Sequence, residues 1–409
     1  MKTLAITYFT YMFVSFYLLL MTILLYLKNR NVLFDSPKIT KEYSISFLVP
    51  IYNEGLTIKD TIKSIFEINY NNILEVIAIN DGSTDNTFEI LKELKIKYPR
   101  LKILNKTNSG KADSLNKAIK LCKGELIAVV DSDSFPSNDS LSNIVGYFDD
   151  PRVGVATIPC IPRNKSTFLE KLQLIEYKVI AFTRKLLEYI DAIYVVPGPL
   201  ALYRKEALED IGGFDTKNMT EDIEATWHLI HNGWKVRMSL NSLVATQTPD
   251  KVKPWFRQRV RWGIGGLQCI IKYKNAPLRN KTMLGYFIWW FFSLGLVLGL
   301  VGIGIFLYVF IRGIISNYLI VHYSVGVGVP IMTMNEIYIT PGVLNYFGII
   351  LFSLFFIFTF FTLAVMKDNA GGKQSFFNLL FYMLVYLLIY PIVLIISTWE
   401  LITGKRKWR

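Results

Sequence analysis

Charge-free apolar stretches at both ends of the chain limit its fold more than any other feature of the sequence. Leu4 to Leu27 lacks charged residues, and so do Leu284 to Ile311, Val343 to Met366 and Phe376 to Thr398. About 20 apolar residues in a helix cross the roughly 30 Å of hydrocarbon in a bilayer. Each stretch is therefore predicted to be a membrane-spanning helix. The 52% hydrophobic content agrees, because it exceeds what one soluble core needs.

Basic residues around the first stretch predict its orientation. Lys28 and Arg30 follow it, whereas Lys2 precedes it, so the positive-inside rule places the N-terminus outside and the next segment in the cytoplasm. A cleaved signal peptide is the alternative. The stretch is long for one, however, and no small-x-small cleavage site follows it.

The orientation of the later stretches is less consistent with the same rule. The connection 312–341 is nearly free of Lys and Arg and is predicted to lie outside, whereas 367–373 carries two lysines and is predicted inside. Four spans would then place the basic residues of 405–409 outside, against the rule. Either one segment is a hairpin or re-entrant, or 284–335 contains two crossings.

The middle of the chain alternates buried-strand and amphipathic-helix patterns. Short apolar, β-branched runs predict strands at 45–50, 74–80, 101–105 and 126–130. Apolar residues at three- and four-residue spacing predict intervening helices at 56–66, 87–97 and 111–121. This order predicts a doubly wound α/β domain inserted between membrane helices, with ligands bound beyond the carboxyl ends of the strands. The predicted regions are an N-terminal span (1–30), the α/β domain (41–253), interface helices (254–283) and a membrane region (284–409).

Polar clusters follow the first two predicted strands and should meet at one edge of the sheet. The first strand runs into Tyr52-Asn53-Glu54, and the second runs into Asp81-Gly82-Ser83. An Asp-Gly-Ser turn followed by a helix cap at Asp85 is the structural alternative. Because two such clusters share one sheet edge, a binding site is favoured.

Asp131-Ser132-Asp133 is the strongest single signal in the sequence. It directly follows the predicted strand at 126–130, on backbone that is expected to be irregular. Asp131 and Asp133 can both turn towards a hard divalent cation, Mg²⁺ or Mn²⁺, whose other ligands are diphosphate oxygens and water. The metal would assist the departure of a nucleoside diphosphate as a Lewis acid. A lone DxD is usually a solvated turn, but the buried strand before it and the two neighbouring clusters favour a site.

Two further segments carry candidate polar groups at predicted helix starts. Gly110-Lys111 opens a helix and places backbone donors and one cation where phosphate could rest, although a solvated lysine at a helix start is the alternative. Thr220-Glu221-Asp222 precedes a helical pattern at 223–231, and an N-cap with acids in the first turn could explain it. The functional interpretation makes Glu221 and Asp222 catalytic, with Asp222 as the general base. One base without a carboxylate nucleophile implies direct displacement with inversion.

Gln258-Arg259-Val260-Arg261-Trp262 lies in a predicted helix at about 254–273. At 100° per residue, one face is apolar and suits a membrane interface, whereas Gln258, Arg261 and Trp262 gather on the opposite face. Interface helices often carry Arg and Trp for lipid reasons. A binding role would use the indole as a platform for a sugar ring and the arginine as a diphosphate ligand. The apolar face comprises Phe256, Val260, Ile264, Leu267 and Ile271.

Cysteine, histidine and charge exclude several classes of protein. The three cysteines and three histidines show neither CxxC nor Cys/His spacing, so disulfide frameworks and zinc sites are not expected. The formal charge of +13 fits positive-inside topology, anionic headgroups or an anionic substrate, although it could also have no specific meaning. We predict no nucleic-acid partner.

Seven motifs, taken in order, resemble those of the processive family-2 glycosyltransferases, which include cellulose, chitin, hyaluronan and poly-N-acetylglucosamine synthases. The motifs are Tyr52-Asn53-Glu54, Asp81-Gly82-Ser83, Gly110-Lys111-Ala112, Asp131-Ser132-Asp133, Gly198-Pro199-Leu200, Thr220-Glu221-Asp222 and Gln258 to Trp262. The resemblance implies a GT-A fold with a mixed sheet between membrane helices. Ile175-Glu176-Tyr177 is most similar to the poly-β-1,6-N-acetylglucosamine synthases, whereas Val195-Val196-Pro197 departs from the form usual before the Gly198 segment.

The resemblance also implies a role for each motif residue. Asp81 would hold the uridine, with Tyr52, Glu54 and Lys111 also contacting the nucleotide sugar. Asp131 and Asp133 would bind nucleotide and metal, and Asp222 would activate the acceptor hydroxyl. Gln258 and Arg261 would close over the diphosphate, and Trp262 and Gly198 would contact the acceptor.

These expectations combine into an inverting, processive β-glycosyltransferase that polymerises a UDP-sugar, with UDP-N-acetylglucosamine favoured, and passes the glycan across the membrane. The expected setting is a multi-pass protein of the plasma membrane with a cytoplasmic catalytic domain and a possible accessory membrane subunit. The alternative is a non-processive transferase that acts on a membrane lipid or polyprenyl carrier. A more remote alternative is a non-catalytic partner that binds nucleotide sugar or glycan in a secretion complex.

Overall fold

A computed structural model describes residues 2–327, 343–366 and 375–404 of the chain. The two-lysine connection 367–373, the basic residues of 405–409 and the end of the 312–341 connection lie outside the described residues. The orientations predicted from those segments therefore stay predictions.

A seven-stranded mixed sheet forms the centre of the domain, in the order β3-β2-β1-β4-β8-β6-β9. The first four strands in sequence run parallel to one another, and β8 is antiparallel to both β4 and β6. A smaller sheet has the order β5-β10-β7. The strands are β1 (Ile45–Ile51), β2 (Ile73–Asp81), β3 (Leu101–Lys106), β4 (Leu126–Val129), β5 (Ser134–Pro136), β6 (Val153–Thr157), β7 (Cys160–Pro162), β8 (Ala201–Arg204), β9 (Lys235–Met238) and β10 (Val244–Thr246).

The helices cover both faces of the large sheet and continue into the apolar ends of the chain. They are α1 (Lys2–Asn29), α2 (Ile58–Phe66), α3 (Thr87–Lys97), α4 (Lys111–Ile119), α5 (Phe168–Glu188), α6 (Lys205–Asp210), α7 (Glu221–His231), α8 (Val252–Lys272), α9 (Ala276–Arg279), α10 (Trp289–Val327), α11 (Val343–Val365), α12 (Phe376–Phe381) and α13 (Ile389–Thr403). A π-helical turn at Leu284–Ile288 precedes α10, and another at Tyr382–Tyr386 follows α12.

The prediction of a doubly wound mixed sheet is confirmed. Every residue of β1 and of β4 is buried, as expected for strands that helices cover on both sides. One hydrophobic cluster on the sheet includes Ile62 and Leu91 from α2 and α3, and a second includes Leu115 and Phe182 from α4 and α5. The second cluster continues into the apolar helices, because α5 also packs against α1, α11 and α12.

Within the described residues, three helical segments are long and apolar enough to cross a membrane: Phe9–Asn29, Leu284–Tyr323 and Phe376–Thr403. A shorter apolar helix covers Ile349–Val365. Helix α10 continues without a turn from Trp289 to Val327, and residues 328–335 lie outside the described part of the chain, so the hypothesis of two crossings in 284–335 stays a prediction. At about 1.5 Å per residue this helix is roughly 58 Å long, nearly twice the thickness of the hydrocarbon.

The apolar face of helix α8 is covered by other helices, which differs from the sequence prediction. This face was expected to contact the membrane interface, but α8 packs closely against α13 and against α7. Val260 and Ile264 are buried in a cluster with Met219 and Val393. The prediction of lipid contact is therefore wrong for the centre of the helix. Protein covers it, and Ile271, 59% exposed, extends beyond that contact.

Candidate active site

The loops after β1 and β2 are fastened to each other at the edge of the large sheet. Asn53 takes a left-handed backbone conformation with φ of 55°, and its Oδ1 accepts a hydrogen bond from the Thr84 amide at 2.7 Å. The amide of Glu54 donates to Thr87 Oγ1 at 2.9 Å, and that of Gly55 donates to Asp85 Oδ2 at 3.1 Å. The two polar clusters therefore form one continuous rim, as their strand positions predicted. Tyr52 extends from this rim, half-exposed.

Asp81 fixes the loop that leads into α4. Its carboxylate accepts hydrogen bonds from the amides of Ser109 (2.9 Å) and Gly110 (2.8 Å) and from Lys106. Burial alone would raise the pKa of Asp81, but these donors hold it below the ordinary value, so the group stays ionised. Gly110 has φ of 94°, a conformation that glycine adopts at little cost, and it caps the N-terminus of α4. Asp81 thereby sets the position at which α4 presents Lys111.

Lys111 joins two of the predicted motifs. Its Nζ lies 2.6 Å from Asp131 Oδ1 and 2.7 Å from Glu221 Oε1. Burial would lower the pKa of this lysine, but Asp131 and Glu221 raise it above the ordinary value, so Lys111 remains a cation. Gly198 lies against the ion pair of Asp131 and Lys111. A Cβ placed at Gly198 would be 2.5 Å from Asp131 Oδ2 and 3.0 Å from Lys111 Nζ. Four residues predicted from four separate motifs therefore meet at one point.

The Asp131-Ser132-Asp133 turn is held by hydrogen bonds that leave its carboxylates close to a third acid. The Ser132 carbonyl accepts from Thr61 at 2.7 Å, and Asp133 Oδ1 accepts from Ser134 at 3.1 Å. Burial, together with the nearby Asp131 and Glu54 carboxylates, raises the pKa of Asp133 to about 6. Such crowding of negative charge is relieved when a cation binds.

The donor set around this turn fits a divalent ion. Asp131 and Asp133 offer oxygen ligands, which are the ligands that Mg²⁺ and Mn²⁺ prefer. No group of three or more His, Cys, Asp or Glu residues forms a closed metal cage within the described parts of the chain. Two protein carboxylates with open positions match a metal whose shell is completed by diphosphate and water.

Two neighbouring acids at the start of α7 differ in their environment. Burial and the adjacent Glu221 raise the pKa of Asp222 to about 6, against the opposing effect of Lys111. For Glu221, burial is outweighed by Lys111, with a smaller effect from Arg261, and its pKa lies below the ordinary value. Asp222 can therefore accept a proton near neutral pH, whereas Glu221 holds Lys111. Glu221 thus lies in an ion pair with Lys111, next to Asp222 in sequence. Its catalytic role stays a prediction.

The Gln258 to Trp262 segment of α8 is organised by a residue that the sequence analysis left without a role. The Arg259 side chain is 1% exposed, its Nη1 donates to Gln258 Oε1 at 2.6 Å, and its guanidinium lies 4.1 Å from the centre of the Trp262 ring. Its Nη2 lies 2.5 Å from Glu176 Oε2. Both helices carry several other charged residues, so no local pattern marked this pair.

Comparison with known proteins agrees with this geometry. Residues 46–212 match the family model described as glycosyl transferase family 2. This segment is therefore similar to the family-2 glycosyltransferases. The matched segment contains the rim, Asp81, Lys111, the Asp131–Asp133 turn and Gly198. The matched segment ends before α7 and α8, so the match includes neither Asp222 nor the Gln258 to Trp262 segment.

The relatives of this chain include enzymes whose names state a polysaccharide as the product. A poly-β-1,6-N-acetyl-D-glucosamine synthase of Staphylococcus epidermidis is 29% identical over 349 residues, which cover 82% of this chain and 78% of the relative. Its namesake in strain RP62A is 32% identical over 262 residues, 64% of this chain and 63% of the relative. The enzyme of Staphylococcus aureus strain COL is 31% identical, with 60% of each chain covered. The last two matches thus span less than two thirds of those relatives.

A solved structure has the same fold over nearly the full length of the chain. A mannosyltransferase of Pyrobaculum calidifontis, described in complex with GDP-Man and Mn²⁺, superposes with a TM-score of 0.60. The superposition covers 99% of each chain at 18% sequence identity. The GT-A arrangement of a mixed α/β domain with flanking apolar helices is therefore shared.

Proposed function

We propose that this protein transfers N-acetylglucosamine from UDP-N-acetylglucosamine to a hydroxyl group of a growing glycan, with inversion at the anomeric carbon. The observation that carries the proposal is the meeting of Lys111, Asp131 and Glu221 at 2.6–2.7 Å, with the proton acceptor Asp222 next in sequence. The relatives named as poly-β-1,6-N-acetylglucosamine synthases support the choice of sugar.

The donor is proposed to bind along the sheet edge between the rim and α8. Tyr52, Glu54 and Asp81 lie on the uridine side. Lys111 and Arg261 neutralise the diphosphate, and the Gln258 amide donates a hydrogen bond to it. Asp131 and Asp133 would hold Mg²⁺ or Mn²⁺, which supplies Lewis-acid neutralisation of the leaving diphosphate. The Mn²⁺ in the Pyrobaculum neighbour supports a divalent ion without identifying it.

The acceptor is proposed to approach from the side of α7 and α8. Trp262 offers a flat aromatic face to a pyranose ring, and Gly198 leaves room beside Asp131. Asp222 takes the proton of the acceptor hydroxyl as its oxygen attacks C1 of the donor sugar from the face opposite UDP. The bond from C1 to the diphosphate oxygen breaks, and UDP leaves with the electron pair. The single displacement inverts the configuration at C1.

We further propose that the catalytic domain faces the cytoplasm of a multi-pass plasma-membrane protein that extends its product processively. The three candidate spans support membrane residence. Lys28 and Arg30 after the first span support the orientation, because basic residues favour the cytoplasmic side. The relatives support a polysaccharide product. An accessory membrane subunit stays a prediction.

A second candidate, transfer to a membrane lipid or polyprenyl carrier, is favoured by one cavity. A space of about 740 Å³ lies beside Trp262 between α1, α8, α10 and α13. Phe13, Leu267, Phe291 and Leu394 are among its lining residues, and no charged side chain lines it in the described part of the chain. A glycan would leave hydroxyl groups without partners there, whereas an isoprenoid or acyl chain would not.

Purified full-length protein in lipid nanodiscs, supplied with radiolabelled UDP-N-acetylglucosamine and Mg²⁺ or Mn²⁺, tests both candidates. The proposal expects high-molecular-weight product that enzymes specific for N-acetylglucosamine polymers degrade. A single sugar on a solvent-extractable lipid would support the second candidate. Binding of UDP-sugars without turnover across a panel of donors would reject both candidates and favour a non-catalytic partner.

A further inference from the structure

A buried ion pair lies behind the Gln258 to Trp262 segment, outside the residues that bind donor, metal or acceptor proton. Glu176 from α5 accepts hydrogen bonds from Arg259 (2.5 Å), from the Tyr386 hydroxyl (2.6 Å) and from the Tyr390 hydroxyl. Trp255 Nε1 donates to Tyr386 Oη at 2.8 Å, and Arg259 Nε donates to Tyr390 Oη at 3.1 Å. We name these five residues the Arg259 cluster.

The Arg259 cluster joins three parts of the chain that are distant in sequence. Glu176 lies on the helix that packs against both the sheet domain and the apolar helices, and Arg259 lies on α8. Tyr386 ends the π-helical turn at Tyr382–Tyr386, and Tyr390 lies in α13. Because π-helical turns are rare and recur at functional sites, their use here favours a role beyond packing.

The other side of the same guanidinium contacts two predicted site residues. Arg259 Nη1 donates a hydrogen bond to Gln258 Oε1 at 2.6 Å. The guanidinium carbon lies over the Trp262 ring, 4.1 Å from its centre. One face of the indole is thereby covered by a cation, which leaves the opposite face for a ligand. Both carboxylate oxygens of Glu176 are in turn occupied, so the guanidinium has a fixed position.

Stability alone gives a weak reason for such a cluster. Taking two charges out of water costs free energy that their attraction does not always recover, and apolar residues of similar volume are often at least as stable. A buried ion pair whose members each make further hydrogen bonds does fix side-chain geometry, and catalysis is sensitive to displacements of about 1 Å.

We propose that Arg259 and Glu176 are positioning residues that hold Trp262 and Gln258 in the geometry required for transfer to the acceptor. The inference rests on the proposed transferase function and names the residues that tie its acceptor side to the C-terminal apolar helices. Neither residue touches donor, metal or reacting hydroxyl in this scheme. Their effect passes through the indole and the amide that Arg259 contacts.

The test is the ratio of sugar transferred to glycan over sugar released to water, measured with radiolabelled UDP-N-acetylglucosamine in nanodiscs. Hydrolysis uses the same donor site but needs no acceptor, so a defect in acceptor positioning lowers the ratio. A loss of folded protein lowers transfer and hydrolysis in proportion and leaves the ratio unchanged. The ratio therefore separates positioning from stability.

Glu176→Gln removes the charge and keeps the shape of the side chain. Since misplacement by about 1 Å can cost on the order of 100-fold, we expect transfer to fall about 10- to 100-fold. Hydrolysis and UDP affinity should each fall less than about threefold, because Gln258 is only one of the proposed diphosphate contacts and the uridine side is unaltered. Transfer and hydrolysis that fall together would overturn the proposal.

The same helix offers a matched control. Glu188 forms a buried ion pair with Lys185 at 2.9 Å, and this pair contacts the Met238 backbone rather than the Gln258 segment. Glu188→Gln should therefore lower thermal stability while leaving the transfer-to-hydrolysis ratio at the wild-type value. A ratio that falls equally in both variants would show a general effect of α5 and would contradict a specific role for Glu176.

A double variant covers the case in which Glu176→Gln fails to fold because it leaves Arg259 unpaired. Glu176→Gln combined with Arg259→Gln removes both buried charges together. We expect this protein to insert and bind UDP but to keep the low ratio. A folded double variant with the wild-type ratio would overturn the inference. Absence of transfer in the wild-type protein itself would instead reject the proposed function.

Discussion

The proposed donor side and the proposed acceptor side of this protein are built in different ways. On the donor side, adjacent strand ends of one sheet supply the rim, the Asp131 turn and the helix start at Lys111. Hydrogen bonds between neighbouring loops hold these segments together. On the acceptor side, α8 is held by side chains that come from 83 and 131 residues away, through Glu176 and Tyr390. The donor side is a property of the α/β domain, whereas the acceptor side depends on how that domain meets the apolar helices.

This difference predicts that substitutions on the two sides fail in distinguishable ways. Damage on the donor side should alter nucleotide or metal affinity and be insensitive to the bilayer. Damage on the acceptor side should spare UDP binding and depend on the lipid environment. Asp222, the proposed base, should show the largest effect.

Asp222→Asn should reduce turnover by about 10²- to 10⁴-fold, because the amide cannot accept the proton of the acceptor hydroxyl. UDP binding, measured by calorimetry on detergent-solubilised protein, should stay within about twofold, since the substitution preserves volume and leaves the uridine contacts in place. Asp210→Asn, at a carboxylate that binds Asn232 and Trp234, is the control and should retain activity. Unchanged turnover in Asp222→Asn would remove this residue from the mechanism.

Replacing Trp262 tests the acceptor side by itself. Trp262→Ala should lower polymer yield on the order of 10- to 100-fold with UDP binding intact, because a buried aromatic surface and its stacking face are lost together. Trp262→Phe should recover a small part, and Trp262→Leu almost none, since an aliphatic chain offers no flat face to a pyranose. Trp399→Leu, at an exposed tryptophan of α13, is the control for membrane anchoring. Full activity in Trp262→Leu would rule out the stacking role.

Gly198→Ala tests the proposed metal site from the acceptor side, because Gly198 lies against Asp131. The new methyl group would lie 2.5 Å from Asp131 Oδ2, closer than van der Waals contact allows, and would displace a proposed metal ligand. We expect the Mn²⁺ concentration for half-maximal activity to rise about tenfold, in line with losses when a metal ligand is misoriented. Gly304→Ala, at a position in α10 with no heavy atom near the new methyl group, is the control. If the acceptor concentration for half-maximal activity rises while that of Mn²⁺ does not, Gly198 affects only acceptor binding.

The same division explains what the sequence could and could not predict. The donor side follows from strand order, because parallel strands bring successive loops to one edge. The predicted helix at 87–97 matches α3, and the helix start at Lys111 matches α4. The link from Lys111 to Glu221 was not visible, since nothing in the local pattern shows which distant carboxylate a lysine will meet.

On the acceptor side, sequence patterns were informative about helices but not about their partners. The apolar face of α8 was predicted, yet periodicity cannot distinguish lipid from protein, and α13 covers its centre. The Arg259 cluster was missed for a similar reason. Its contacts connect residues up to 214 positions apart, so only a three-dimensional arrangement shows that Glu176 and Arg259 are neighbours.

The smallest expected effect is a pH dependence that sharpens the assignment of the base. Burial and Glu221 raise the pKa of Asp222 to about 6, and only its ionised form can accept a proton. Activity at saturating UDP-sugar and Mn²⁺ should therefore fall about fourfold between pH 7.5 and pH 5.5, as expected for one group with this pKa. The loss runs towards acid because protonation removes the base.

Two comparisons separate Asp222 from the metal site in that pH profile. The pKa of Asp133 is also raised to about 6, so metal binding should weaken over the same range. Excess Mn²⁺ should restore whatever activity Asp133 loses, because the cation competes with the proton, but it should not move the contribution of Asp222. The residual activity of Asp222→Asn should be flat over this range at saturating Mn²⁺. A residual activity that still falls towards pH 5.5 would place the titrating base elsewhere in the site.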